Sequence, residues 1–110
     1  MVIVQINYRR PAMPQAEWDA RYTDDRARPF LDVAGLQWKI WLDAPAERLA
    51  GGTYLFADQE AAQAYMAGPI VARMKANPDI KELSIRVFDI RQRMSEITNA
   101  PLPQMKLAAE

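Results

Sequence analysis

Apolar and polar residues alternate with a period of two in four separate stretches of the chain, which predicts four β-strands. VIVQINY (Val2 to Tyr8) is β-branched and closed by Arg9-Arg10-Pro11; GLQWKIWLDA (Gly35 to Ala44), GTYLFA (Gly52 to Ala57) and KELSIRVFDI (Lys81 to Ile90) follow. Between the first two strands a helical stretch begins near Pro14, with Trp18 and Tyr22 one turn apart. Pro29 kinks or ends it, and Gly35 is the stop. AERLAGG reads as a connection. Asp58 is placed to cap a second helix through Ala61, Ala64 and Tyr65, which Gly68-Pro69 interrupts and restarts before Asn77-Pro78 ends it. After the last strand come a helical turn around Ser95 to Asn99 and a proline-interrupted tail. The order β-α-β-β-α-β predicts an α+β, ferredoxin-like domain over residues 1–102. Its four-stranded antiparallel sheet carries both helices on one face, and residues 103–110 form a tail that is mobile or docks on a neighbour.

Counting by twos then divides each strand between two faces. One set holds Val2, Val4 and Ile6; Leu36, Trp38, Ile40 and Leu42; Leu55; and Leu83, Ile85 and Val87. It is apolar throughout and is assigned to the helices, with Trp38 in the core. The other set holds Ile3, Gln5 and Asn7; Gln37, Lys39 and Trp41; Tyr54 and Phe56; and Ser84, Arg86, Phe88 and Ile90. Such a mixture of aromatic, aliphatic, amide and cationic groups suits a ligand cavity or a wet interface better than a solvated face. The expected cover is a second copy of the same sheet. Trp41, Tyr54, Lys39 and Arg86 would then rim a pocket between the two sheets, where an aromatic compound stacks on Trp41 and the cations orient its oxygens. The same four residues would also serve as plain dimer contacts.

Composition removes many alternatives. The 110 residues hold no Cys and no His, which excludes disulfides, a thiol nucleophile, ordinary zinc sites, His-ligated haem and His-based triads. The carboxylates Asp24, Asp25, Asp58, Glu60, Asp79 and Glu82 are scattered over helices and loops, as solvated groups are. Fourteen basic residues balance fourteen acidic ones, so no nucleic-acid or anionic-membrane partner is expected. The element order is shared with RNA-recognition modules, but the first strand lacks a central stacking aromatic residue and the basic glycine-aromatic signature is missing. No apolar run approaches the roughly 20 residues of a membrane span, and MVIVQINYRR lacks a secretory pattern, so a cytoplasmic location is expected.

Taken in order, GLQWKIW, AGGTYLFAD and IRVFDI, with MSEITNAPL behind them, make the chain resemble the YdhR-like mono-oxygenase family. That family lies within the dimeric α/β-barrel superfamily, which also includes the antibiotic-biosynthesis mono-oxygenases. The resemblance runs from the first strand to about Leu102. It implies a ferredoxin-like protomer in a homodimeric barrel, with a cavity between helices and sheet in each half. It also implies oxidation of a hydroxylated aromatic compound by O₂ without metal, flavin or haem. In that mode the deprotonated substrate supplies the electron, and the protein binds, desolvates and stabilises charge. Carried onto this sequence, the W-K-x-W motif is Trp38, Lys39 and Trp41, and the G-x-Y-L-F motif is Gly52, Tyr54, Leu55 and Phe56. The expected substrate-binding residues are Trp41, Tyr54, Phe56, Phe88 and Gln5. The expected catalytic residues are Lys39 and Arg86, holding a phenolate or quinone oxygen, and Asn7, donating a hydrogen bond to it. The alternative is a dimeric module that binds a hydrophobic metabolite without changing it.

Overall fold

The computed structural model describes residues 1–103. Four strands, β1 (Val2–Arg9), β2 (Leu36–Ala44), β3 (Leu49–Phe56) and β4 (Lys81–Asp89), form one antiparallel sheet in the order β2-β3-β1-β4. This is the ferredoxin-like arrangement, with β1 and β3 central. All but the first residue of the expected 103–110 tail lies outside the described residues.

The helical stretch after β1 is three short pieces: α1 (Gln15–Asp19), α2 (Asp24–Ala27) and a 3₁₀ turn (Arg28–Asp32) with Pro29 in its first turn. After β3, Asp58 caps α3 (Gln59–Met66) by accepting a hydrogen bond from the Ala61 amide at 2.8 Å. Gly68 ends this helix, and Pro69 opens α4 (Pro69–Ala76), a position where its missing N–H costs no hydrogen bond. The last helix, α5 (Gln92–Ile97), lies slightly ahead of the expected turn.

Gly35 is required for two reasons. Its φ of +78° is left-handed, and a Cβ there would lie 2.4 Å from the Ala61 Cβ, while its carbonyl accepts the Ala57 amide at 2.8 Å. The β2–β3 connection is shorter than AERLAGG suggested. A 3₁₀ turn (Pro45–Glu47) and a left-handed Arg48 close it, so that β3 already begins at Leu49.

Register decides which face each residue serves. Directly opposed residues in an antiparallel pair point the same way. Val2, Val4 and Ile6 pair with Phe56, Tyr54 and Gly52 on one side. On the other side Val4 and Ile6 face Val87 and Ile85. With Tyr8, Ala50, Trp18, Ala62, Tyr65 and Val71, these residues build the core between sheet and helices. The assignment of β1 and β4 to their faces therefore holds, and that of β3 is reversed. Tyr54 and Phe56 point toward the helices, and Leu55 points away from them.

Most of β2 is reversed as well, because it carries a bulge. Leu36 opposes Phe56 but Trp38 opposes Leu55, so β2 holds one residue more than β3 across this step. Beyond the bulge, Lys39 opposes Tyr54 and Trp41 opposes Gly52, on the helix side. Trp38 is not a core residue. It lies on the far face beside Leu55, where its indole N–H donates to the Pro101 carbonyl at 2.7 Å.

Candidate functional site

The helix-side residues of β2 and β3 open into a cavity of about 290 Å³. Its floor is Ile6 and Tyr8 of β1, Lys39 and Trp41 of β2, and Tyr54 of β3. Tyr22, Arg26, Pro29 and Phe30 form the wall from the segment after β1, and Ile70, Arg73 and Met74 of α4 form the wall opposite.

At its centre is an amine in an aromatic cage. The Lys39 Nζ lies 3.3 Å from the ring centroid of Trp41, 3.8 Å from that of Phe30 and 4.8 Å from that of Tyr54. Lys39 and Trp41 share a face because they are two apart on one strand. Gly52 leaves room for the lysine to fold back, since a Cβ there would sit 3.0 Å from the Lys39 Cε and 3.2 Å from the Tyr54 Cε1. Trp41 meets Tyr22 and Phe30 edge to face, with centroids 5.9 and 5.3 Å apart, and Tyr22 meets the buried Trp18 at 5.6 Å.

Two effects oppose each other at Lys39. The ring faces favour the ammonium, while burial, and secondarily the charge of Arg26, favour the free amine and bring its pKa down to about 7. The neighbouring phenols move the opposite way. Burial raises Tyr22 to about 12 and holds Tyr54 and Tyr65 above the ordinary range, so all three stay neutral at physiological pH. No carboxylate among the described residues lines the cavity. Among the described residues no cluster of three metal-ligating groups occurs, and no helix is long and apolar enough to cross a membrane.

Of the residues expected at the site, Lys39, Trp41 and Tyr54 meet in this cavity. Phe56 shares their face but is fully buried in the core, stacked beside Tyr54 with centroids 6.4 Å apart. Gln5, Asn7, Arg86 and Phe88 lie on the opposite face, where Gln5 opposes Arg86 across β1 and β4. There Thr53 donates to Gln5, and Gln5 donates to Asn7 at 2.9 Å. Within one protomer Arg86 and Asn7 therefore cannot reach an atom held by Lys39, because the sheet stands between them. That far face also carries Ile40, Leu42 and Phe88, which are 47, 38 and 47% exposed.

The cavity contributors beyond those expected include Tyr8, Tyr22, Arg26, Phe30, Arg73 and Met74. A signal for several of them was present. Trp18, Tyr22, Arg26 and Phe30 recur at every fourth position, the spacing of one helical stripe.

Comparison with known proteins agrees with this architecture. A 1.40 Å crystal structure of a "putative antibiotic biosynthesis monooxygenase" from Deinococcus radiodurans aligns with a TM-score of 0.61 and 16% identity, over 82% of this chain and 92% of that one. NE2512, a protein of unknown function from Nitrosomonas europaea, aligns at 0.64 with 20% identity over 94% of both chains. The haem-degrader MhuD from Mycobacterium tuberculosis, solved with two haems in its active site, aligns at 0.58 with 22% identity over 81% of this chain and 95% of that one. At these identities the likeness is one of fold. No curated protein is a significant sequence match. The family model described as "Putative mono-oxygenase ydhR" matches residues 3–101, nearly the whole described chain, and the protein belongs to that family.

Proposed function

We propose that the chain is a mono-oxygenase that oxidises a hydroxylated, multi-ring aromatic compound with O₂ and without a bound cofactor, using Lys39 as the base. The observation that carries this reading is the caged amine: a lysine with a pKa near 7, walled by aromatic rings and free of any carboxylate neighbour in its cavity. A planar ligand would slide against Trp41 and Phe30, displacing the ammonium from the ring faces toward its own oxygen. The free amine takes the phenolic proton, and the resulting ammonium stays beside the phenolate as its counter-ion.

The electron-rich phenolate gives one electron to O₂, and the radical pair recombines at a ring carbon as a peroxide. Loss of water then leaves a quinone, so phenol plus O₂ becomes quinone plus H₂O. In this scheme Tyr54 and Tyr22 act as neutral walls and hydrogen-bond donors, because burial keeps their protons on. A second copy of the chain covers Ile40, Leu42 and Phe88 on the far face and closes the barrel. Gln5, Asn7 and Arg86 then belong to that interface, the role the sequence left open for Arg86.

The test is aerobic incubation of metal-stripped protein with hydroxylated naphthalenes and anthracenes, following quinone formation and O₂ uptake. Expected are equal molar consumption of substrate and O₂ and a rate that rises with pH through about 7. Lys39→Met should be slower by about 10²–10⁴-fold, the usual worth of a positioned base. A compound held tightly but recovered unchanged after long exposure to air would instead make the chain a binding module.

A further inference from the structure

Lys39 is not the only cation in its cavity. Arg26 on α2 and Arg73 on α4 line it as well. Among the described residues neither has a carboxylate partner, whereas Arg9 is paired with Glu82 and Arg28 with Asp24 and Asp25. Arg26 makes a single long hydrogen bond, to the Arg21 carbonyl at 3.4 Å, and its guanidinium lies 4.8 Å from the Tyr22 ring centroid. In a chain with equal numbers of acidic and basic residues, three cations and, among the described residues, no acid lining one 290 Å³ space is a local imbalance. The charge of Arg26 is already felt at Lys39, where it disfavours the ammonium. A bound anion relieves it, and guanidinium groups are shaped for carboxylates.

We propose that the ligand carries a permanent carboxylate in addition to its hydroxyl, that Arg26 and Arg73 hold this carboxylate, and that the substrate class is therefore a hydroxylated aromatic acid. The proposal rests on the reading of this cavity as the substrate site. It separates two jobs among the cations: the arginines anchor one end of the molecule, and Lys39 handles the proton at the other. It also has a linkage consequence. The groups lining the cavity with Lys39 are Tyr8 from β1, Trp41 from β2, Tyr54 from β3, Tyr22, Arg26 and Phe30 from the segment after β1, and Arg73 from α4, none of them an acid; Asp24 and Asp43 border Tyr22 and Trp41 just outside it. An arriving carboxylate is thus the first negative charge inside the cavity itself, and it raises the amine's affinity for a proton. Binding of a carboxylate that lacks the hydroxyl should take up a proton from buffer near pH 7.5.

The experiment is calorimetric titration of the whole protein with three probes, 6-hydroxy-2-naphthoate, its isosteric neutral carboxamide and the smaller 2-naphthol, with 2-naphthoate in buffers of different ionisation enthalpy for the proton count. The carboxylate is expected to bind at least 30-fold tighter than the amide at low ionic strength. Arg26→Gln and Arg73→Gln should each remove about tenfold of that advantage and leave amide binding unchanged. Equal affinity for acid and amide, or equal loss of both in the variants, overturns the carboxylate assignment while the cavity reading stands on the binding of the neutral probes. Failure of all the probes to bind overturns the assignment and the cavity reading together.

Discussion

Replacing Lys39 with methionine keeps the length and most of the volume of the side chain and removes its charge, so it isolates what burying the amine costs the fold. The amine's pKa is near 10.5 in the unfolded chain and about 7 in the folded one. The unfolded state therefore holds the extra proton between those values, and stability rises with pH across that window. Below pH 7 both states are protonated and the cost is constant; above about 10.5 it has vanished. Each tenfold change in proton affinity is about 1.4 kcal/mol, so the full depression corresponds to roughly 5 kcal/mol. Urea unfolding of wild type and Lys39→Met at half-unit steps from pH 6 to 10.5 should show the methionine variant ahead at pH 6, with its lead shrinking by that amount as the pH rises. The difference between the two proteins cancels every other titrating group. Parallel curves, constant to within about 0.5 kcal/mol, would mean an ordinary lysine and would remove the base from the proposed mechanism.

Gly52→Ala should push the Lys39 side chain off the Trp41 ring, because the new methyl meets the Lys39 Cε at 3.0 Å; NMR of the Nζ group should find its titration moved back toward 10, at about 1–3 kcal/mol of stability. Ile40→Lys combined with Phe88→Asp places charge on the far face and should turn a dimer into a folded monomer by native mass spectrometry, whereas a dimer that persists would locate the contact elsewhere. Phe56→Ala, at a fully buried position beside Tyr54, should lower stability by about 3–5 kcal/mol by urea unfolding.

The fold was legible because its signals are local. β1 alternates cleanly, Asp58 caps, Gly68-Pro69 breaks, and the order of elements leaves few topologies. The site was half legible. Lys39, Trp41 and Tyr54 stand out in the sequence as a group because their chemistry is unusual for strands, yet counting by twos puts them on the wrong side of the sheet. In β3 the residues Tyr54, Leu55 and Phe56 are all apolar or aromatic and all buried, so alternation carries no information about which way the strand faces. Only pairing with β1 settles it. Tyr22, Arg26 and Phe30 were hidden for a different reason. Their four-residue spacing is a helical signal, but Pro29 and the break after α1 hid the stripe, and a helix broken into short pieces does not announce a common face.

The β2 error turns on one residue, and it can be tested directly. If Gln37 is the inserted residue, Leu36 and Trp38 lie on opposite faces although they are two apart, and everything after the bulge keeps the register of the β2–β3 hairpin. Gln37 is exposed, and its side chain donates only to the Gly35 carbonyl, at 3.2 Å. Deleting it should leave Leu36 facing the helices, Trp38 facing outward, and Lys39 in its cage, because adjacent residues in a regular strand alternate as these two then would. The cost falls on the entry to the strand. Gly35 must move by about 3.3 Å, one strand residue, and its hydrogen bond to Ala57 and its contact with Ala61 are strained. A loss of about 1–2 kcal/mol in urea unfolding is expected, the worth of a buried backbone hydrogen bond and local repacking. The Lys39 titration near 7 should be preserved. A deletion variant that folds with Lys39 titrating near 10 would show that the register slipped and carried the lysine to the far face. The bulge would then be what puts the amine in the cavity.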